Sequence, residues 1–321
     1  MQDIGEQLRM IAPGRVREQE PMRKYTNFRI GGPARFFVEV RSEEEVRQIL
    51  AVAHAAQMSV CVLGGGSNML VSDKGFDGIV LKMALREIRL SDHDFHVDAG
   101  VPMILLARKA ADAGLTGLEW AITLPGTVGG AVRGNAGCFG GETSDYLVEA
   151  TILSEGEVVV RKKSELQFAY RESIIKHTSD VVLSAKFRLV PGEISEIRAR
   201  MEANLTKRKA SQPLDAGSAG CMFKNVEIAS AEEVQRIQLI VDLPSEVITS
   251  RRLSAGWVID QLDLKGFQIG GARISERHGN FLLNTGDATA DDVVQLIAFI
   301  KTRARNTFGI HLQEEVQYVG F

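Results

Sequence analysis

The sequence is poor in the features that most quickly place a chain. It has three cysteines in 321 residues, Cys61, Cys138 and Cys221, widely spaced and none in a C-x-x-C pair. That excludes a disulfide framework and a structural zinc site, so no metal ligands are expected. No run of about 18 apolar residues occurs, so no segment reads as a membrane span. The opening residues, MQDIGEQLRMIAPGR, have no basic region followed by an apolar stretch, so no secretory signal is read and a cytoplasmic protein is expected. Charge of one sign is scarce as well: 38 Lys and Arg against 41 Asp and Glu leave a net charge of -3. No global basic field draws nucleic acid or anionic membrane, and any anionic ligand must be met by local positive groups. There is no internal repeat and no low-complexity tract.

What is present is ordinary in bulk, with 45% hydrophobic and 25% charged residues. The length exceeds what one core usually supports, so two or three domains are expected. Ser42-Glu43-Glu44-Glu45 reads as a capping box opening a helix with Val46, Ile49, Leu50 and Ala53 on one face. Val60–Leu63 reads as a buried strand, with further strands at 78–82, 87–90 and 95–99, and a helix at 103–113 stopped by Gly114. Residues 148–153 and 158–161 read as a hairpin, 181–190 as a strand and 193–209 as a helix with a basic end. Helices follow from Ser230, at 254–262, and from Thr289 with Asp292. Strands are expected near 270–274 and 280–284, and at 311–320. The main boundary is placed near residue 205.

Five stretches could carry chemistry. Gly64-Gly65-Gly66-Ser67-Asn68 follows a strand, and consecutive glycines let backbone N–H groups converge on an anion such as a pyrophosphate. A tight turn is the other reading, and the spacing matches neither the Walker nor the Rossmann pattern. Residues 124–141 contain seven glycines. Within them Pro125-Gly126-Thr127-Val128-Gly129-Gly130-Ala131 offers backbone donors, a hydroxyl and the start of a short helix suited to phosphate. Two such loops favour a dinucleotide lying extended across a domain. Arg171 in Tyr170-Arg171-Glu172-Ser173 could clamp a carboxylate, but locally a surface ion pair reads as well or better. In Gly217-Ser218-Ala219-Gly220-Cys221-Met222-Phe223-Lys224-Asn225 the thiol is core filling or chemistry. Glu314 and Glu315 alternate faces of an extended strand, so at most one enters a given site. His278, Trp120 and Trp257 read as structural.

Together the pieces TNFRIGGPA (26–34), LGGGSNML (63–70), GLEWAITLPGTVGGAVRGNAG (117–137), YRES (170–173), QPLDAGSAGCMFKN (212–225), AGWVIDQLDLKGFQIGGARIS (255–275) and LQEEVQYVG (312–320) closely resemble the UDP-N-acetylenolpyruvoylglucosamine reductases, flavoenzymes of peptidoglycan synthesis. The pieces stand in the family's order and span nearly the whole chain. The resemblance implies an α+β fold: a non-Rossmann, two-subdomain FAD-binding domain (PCMH-type) and a smaller α+β substrate-binding domain. It implies a FAD-binding region over 1–205, split near 82, a substrate domain over 206–303, and a C-terminal strand over 304–321 returning to the active site. It implies FAD reduced by NADPH, hydride transfer to UDP-N-acetylglucosamine enolpyruvate, UDP-N-acetylmuramate as product, and a monomer without nucleic-acid partner or membrane insertion.

By position Arg171 matches the family's catalytic arginine, Cys221 its proton donor and Glu315 its C-terminal acid. Gly64, Gly65, Gly66, Ser67 and Asn68 match one cofactor loop. Pro125, Gly126, Thr127, Val128, Ala131, Asn135 and Gly137 match the other. Arg208, Gln212, Ser218, Lys224 and Asn225 are expected at the substrate. Three departures stand out: Cys221 replaces a serine common in the family, and Arg133 replaces a more usual methionine. The short stretch from Tyr170 to Val181 suits the subtype that lacks a long tyrosine-bearing loop, so that tyrosine is not transferred to Tyr170. A sugar or alcohol oxidase of the same architecture would need no GSAGCMFKN or LQEEVQYVG motif, and a non-catalytic nucleotide-sugar sensor would have lost the flavin loops or the acid, arginine and donor set.

Overall fold

The computed structural model describes residues 3–321. Two compact units divide them. The first comprises residues up to Pro21, Pro33–Gly66 and Phe76–Ala210; the second comprises Met22–Gly32, Ser67–Gly75 and Ser211–Phe321.

The first unit holds two sheets. In one, Val16–Pro21 pairs antiparallel with Pro33–Val40, which pairs parallel with Phe76–Met83, which pairs parallel with Val60–Leu63. The two central parallel strands read as apolar runs (Phe36, Phe37, Val38; Ile79, Val80, Leu81) because they are buried. Val60–Leu63, at the sheet edge, is not the buried strand expected: Val62 is exposed. The other sheet is antiparallel throughout, in the order Glu157–Lys162, Leu147–Ser154, Val181–Arg188, Asp94–Asp98 and Ile88–Ser91. The helices Glu43–Ala55 and Met103–Asp112 contribute Val46, Ile49, Leu106 and Ala107 to the core shared with these strands.

The helix Glu43–Ala55 corrects one local expectation. The Ser42 hydroxyl accepts from Glu45 N at 3.2 Å, as a cap should. The Glu45 carboxylate does not close the box on Ser42; it accepts from Arg41 N (2.8 Å) and takes a bidentate pair from Arg15 (2.7 Å each). A planar guanidinium matching a carboxylate outcompetes a neutral amide, and holds Glu45 below the usual carboxylate range.

The second unit has its own core, including Phe28, Leu70, Phe223, Ile259, Leu282, Ile297 and Phe308. Its elements are the helices Ala231–Gln238, Ser245–Ser250, Ala255–Gln261 and Ala290–Phe308, and the antiparallel strands Gln268–Ile269, Ala272–Ile274 and Leu282–Asn284. The helix Ser245–Ser250 escapes the sequence reading because no side-chain cap marks its start. The last helix carries a full capping box between Thr289 and Asp292. It also receives Asp73, whose carboxylate accepts from Ala290 N at 2.8 Å and Asp291 N at 3.3 Å. The final strand is shorter than expected: Gln317–Val319 pairs, parallel, with Met69–Val71, and Glu314 makes a separate bridge to Phe223. The helix that begins at Ile194 runs to Ser211, past the expected boundary at 205, and Ala290–Phe308 runs through the one at 303. Among the described residues no helix is long and apolar enough to cross a membrane.

Candidate active site

In the first unit the two glycine loops meet. A Cβ on Gly64 would lie 2.4 Å from the Thr127 hydroxyl, and one on Gly65 would lie 2.8 Å from the Pro125 carbonyl, so only glycine permits the approach. Gly66 adopts a left-handed φ of 64°. The Thr127 hydroxyl is buried and has no hydrogen-bond partner. A buried polar group left so costs about 1–3 kcal/mol unless a bound group satisfies it. Lys82 rises from the strand beneath and donates from Nζ to the Gly64 carbonyl. Burial, then the charge of Arg86, holds its ammonium below the ordinary lysine range. Lys82 is absent from the sequence reading; the signal for it was a single cation within the apolar run Gly78–Met83. The pieces suit an anionic, extended ligand.

The helix Val128–Gly134 continues from this loop. Val128 and Ala131 are core residues, and Val128 N already donates to Val101 O at 2.9 Å. The short helix thus packs inward, and neither side chain is assigned a polar ligand contact. Asn135 is fully buried at the left-handed C-cap, φ 42° and ψ 54°. Its Nδ2 donates to the Ala169 carbonyl and to Glu142 Oε1, both at 3.0 Å, and its Oδ1 accepts from Ser144 N at 3.0 Å. Its side-chain amide is used within the protein. Gly137 is likewise enclosed: a Cβ there would meet the Gly141 carbonyl at 2.5 Å.

These residues lead to Arg171. Ala169 and Glu172 exchange both backbone hydrogen bonds, at 3.1 and 3.0 Å, leaving Tyr170 and Arg171 at the tip of a tight turn. Arg171 takes a φ of 59°, uncommon for a residue with a side chain. Its guanidinium donates to the Gly137 carbonyl at 2.7 Å and lies 4.9 Å from the Tyr170 ring centroid. Lys176 and His177 engage the neighbouring Glu172.

In the second unit the small residues of GSAG are explained by crowding. A Cβ on Gly217 would sit 2.8 Å from Phe28 O, Ser218 N donates to Asn27 O, and Gly220 has a φ of 85°. Cys221–Lys224 then runs extended between two other segments. On one side Met222 N donates to Asn280 O (2.8 Å), and the Asn280 side chain accepts from Phe223 N (2.9 Å) and donates to Phe223 O (2.8 Å). On the other, Glu315 N donates to Met222 O (2.8 Å) and Lys224 N to Gln313 O (2.9 Å). The backbones that carry Cys221 and Glu315 are therefore neighbours. Met222 and Phe223 fill the core, while Cys221 is only partly buried. Glu314 is held by Lys301 at 2.8 Å.

Asn68 lies in this unit also. Its Nδ2 donates to the Glu315 carbonyl at 3.1 Å, and its buried Oδ1 has no partner. Asn225 accepts from Ala255 N, the Ser218 hydroxyl from Gly220 N, and the buried Oε1 of Gln212 has no partner. Asn280 escapes the sequence reading because its partners are backbone groups 57 residues away. His278 packs on Phe281 and accepts from Asn280 N through Nδ1, in the structural role expected of it. None of the three cysteines forms a disulfide. Burial pushes the Cys61 thiol up to about 11, against the opposing charge of Arg133, and burial raises Cys138 too. Among the described residues no group of His, Cys, Asp and Glu has the arrangement to hold a metal.

Comparison with known proteins agrees with these two units. Residues 34–161 match the family model described as an FAD binding domain, and residues 212–319 match the C-terminal domain model of UDP-N-acetylenolpyruvoylglucosamine reductase. The reductase of that name from Synechococcus sp. (strain JA-3-3Ab) is 38% identical over 96% of this chain and 92% of its own. That of Bacillus pumilus is 35% identical over 100% of this chain and 99% of its own. The crystal structure of the Thermus caldophilus reductase is similar at a TM-score of 0.75 and 34% identity, covering 95% of this chain and 99% of that one.

Proposed function

The chain belongs to the UDP-N-acetylenolpyruvoylglucosamine reductase family, and on that premise we propose how its own residues divide the work. The reaction is the FAD-mediated, NADPH-dependent reduction of UDP-N-acetylglucosamine enolpyruvate to UDP-N-acetylmuramate, a step of peptidoglycan synthesis. The chemistry supplied by bound FAD is hydride transfer, from NADPH to the terminal carbon of the enolpyruvyl double bond. The residues present fit that cofactor: Gly64 and Gly65 leave backbone within reach of a diphosphate, Lys82 is half-buried beside them, and the Thr127 hydroxyl lacks a partner. Gly66, Ser67, Pro125 and Gly126 complete its loops.

Charge accumulates on the carboxylate side of the enol ether as hydride arrives. Arg171 holds that carboxylate, and Glu315, in its protonated form, donates a hydrogen bond to the same developing charge. The carbon beside the carboxylate then needs a proton, delivered from the Cys221 Sγ. A free thiol titrates near about 8.5, so it is mostly protonated at neutral pH and is a much stronger acid than a serine hydroxyl. Lys224, Asn225, Ser218, Gln212 and Arg208 bind the nucleotide-sugar portion. The observation that carries this reading is the 2.8 Å bond from Glu315 N to Met222 O, which fixes the acid beside the backbone of the thiol donor.

NADPH and a nucleotide sugar as reactants support a cytoplasmic setting. The test is direct: the purified protein should carry yellow flavin, lose its colour with NADPH under anaerobic conditions, and regain it on addition of the enolpyruvyl nucleotide sugar. Failure of the colour to return with that substrate would remove the reading.

A further inference from the structure

Three alternate residues, Arg133, Asn135 and Gly137, hold three positions of the turn that presents Arg171. Ser173 Oγ donates to the Arg133 carbonyl at 2.7 Å, Asn135 Nδ2 to the Ala169 carbonyl at 3.0 Å, and Arg171 Nη2 to the Gly137 carbonyl at 2.7 Å. Two of these bonds bracket the turn from either end, and the third fixes the guanidinium itself. The turn needs such support, because Arg171 sits at a φ of 59° that a side chain disfavours.

Asn135 reaches the turn through its side-chain amide. It is 0% exposed. Both amide protons and the carbonyl oxygen are engaged, the second proton and the oxygen by Glu142 and Ser144 N. Glu142 Oε1 is itself held by the Ser144 hydroxyl at 2.6 Å. A satisfied buried network of this kind has one geometry, so the position of Ala169, and with it the turn, is set from Asn135.

We infer that Asn135 is the positioning residue for Arg171: it acts on the reaction by holding the turn at Ala169, and through no contact of its own with cofactor or substrate. The inference rests on Arg171 having the role given above. A plain structural role for Asn135, as a left-handed helix cap, predicts something different, because glycine serves that position at least as well.

The test uses the flavin-loaded enzyme and the two half-reactions measured separately, for the parent, Asn135→Gly, Arg171→Ala and the double variant. Glycine keeps the left-handed backbone and removes only the amide. Asn135→Gly should reoxidise with the enolpyruvyl nucleotide sugar about tenfold or more slowly, up to about 10²-fold, since small misplacement of an orienting group costs that much. Reduction by NADPH should change by less than about twofold, and adding the change to Arg171→Ala should slow reoxidation no further, because two groups acting as one are not additive. The Glu172 amide, bonded to Ala169 O in the parent, should exchange with deuterium faster in Asn135→Gly.

Parent-like reoxidation in Asn135→Gly, equal slowing of both half-reactions, or full additivity with Arg171→Ala each overturns the inference while leaving Arg171 in place. Parent-like reoxidation in Arg171→Ala alone instead removes the catalytic reading of the arginine, and the inference with it. Should Asn135→Gly not fold, Ser173→Ala frees the other end of the same turn and must slow reoxidation selectively. Unchanged reoxidation in that variant also overturns the inference.

Discussion

Arg171 is held by side chains, whereas Cys221 and Glu315 are held chiefly by backbone. The arginine's turn is fastened by Asn135, Ser173 and its own guanidinium. The extended stretch around Cys221 is fastened through Met222 N, Lys224 N and Glu315 N, with Asn280 acting as a side-chain imitation of a strand. Backbone pairing tolerates a change of residue, so exchanging Cys221 for serine should leave the frame undisturbed. A side-chain clamp tolerates no such exchange, and its cost falls on geometry before it falls on stability.

The largest test of that contrast is Arg171→Ala. Removing one preorganised group that meets developing charge costs about 10²–10³-fold. Flavin reoxidation should fall by that amount while NADPH reduction persists, read by stopped-flow absorbance of each half-reaction. If the variant mainly loses flavin, the arginine belongs to the cofactor and the contrast dissolves. Next comes Cys221, where a positioned acid contributes about 10²-fold or somewhat more. Cys221→Ala should still be reduced by NADPH yet stall in reoxidation, and Cys221→Ser should keep substantial turnover because the frame is backbone. Equal, near-normal reoxidation in both would take the proton away from Cys221.

Asn280→Ala probes the frame itself. It leaves buried Phe223 N and O without partners, at about 2 kcal/mol, so thermal melting should drop by several degrees and both half-reactions should suffer together rather than one selectively. The smallest effect concerns pH. Burial, with Asp260 opposing and Lys265 assisting, lowers the pKa of His278 below its ordinary value, near about 6.5. The unfolded chain therefore takes up this proton at higher pH than the folded one, so the His278 contribution is complete above about 6.5 and is lost as pH falls from there through the folded pKa. Melting curves between pH 7.5 and 5.5 should show a decline that His278→Gln flattens; an identical decline in both would place the titration elsewhere.

The glycine loops, the helix caps at Ser42, Ser230 and Thr289, and the alternation that separates Glu314 from Glu315 were legible because each depends on near neighbours in sequence. What was not legible depends on a side chain reaching a distant carbonyl. Asn135 meets Ala169 34 residues on, Asn280 meets Phe223 across 57, and Asn68 meets Glu315 across 247. An asparagine among glycines looks like a loop ligand, and only burial reveals that its amide is already committed. Val128 and Ala131 lie in the same glycine-rich motif, and their apolar side chains go to the core.

One pairing has a bearing on how the chain is made. Met69–Val71 is a strand of the second unit whose partner, Gln317–Val319, is the last strand to be synthesised. Asp73 likewise waits for the amides of Ala290 and Asp291. At ribosomal rates of roughly 5–20 residues per second, about 250 residues and some 10–50 seconds separate the emergence of the two strands. During that interval Phe28 and Leu70, both core residues of the second unit, have no finished core to enter. The nascent chain must carry these two apolar segments exposed until residues 317–319 have left the ribosome, which makes the arrival of that strand, rather than the completion of the first unit, the event that closes the second core.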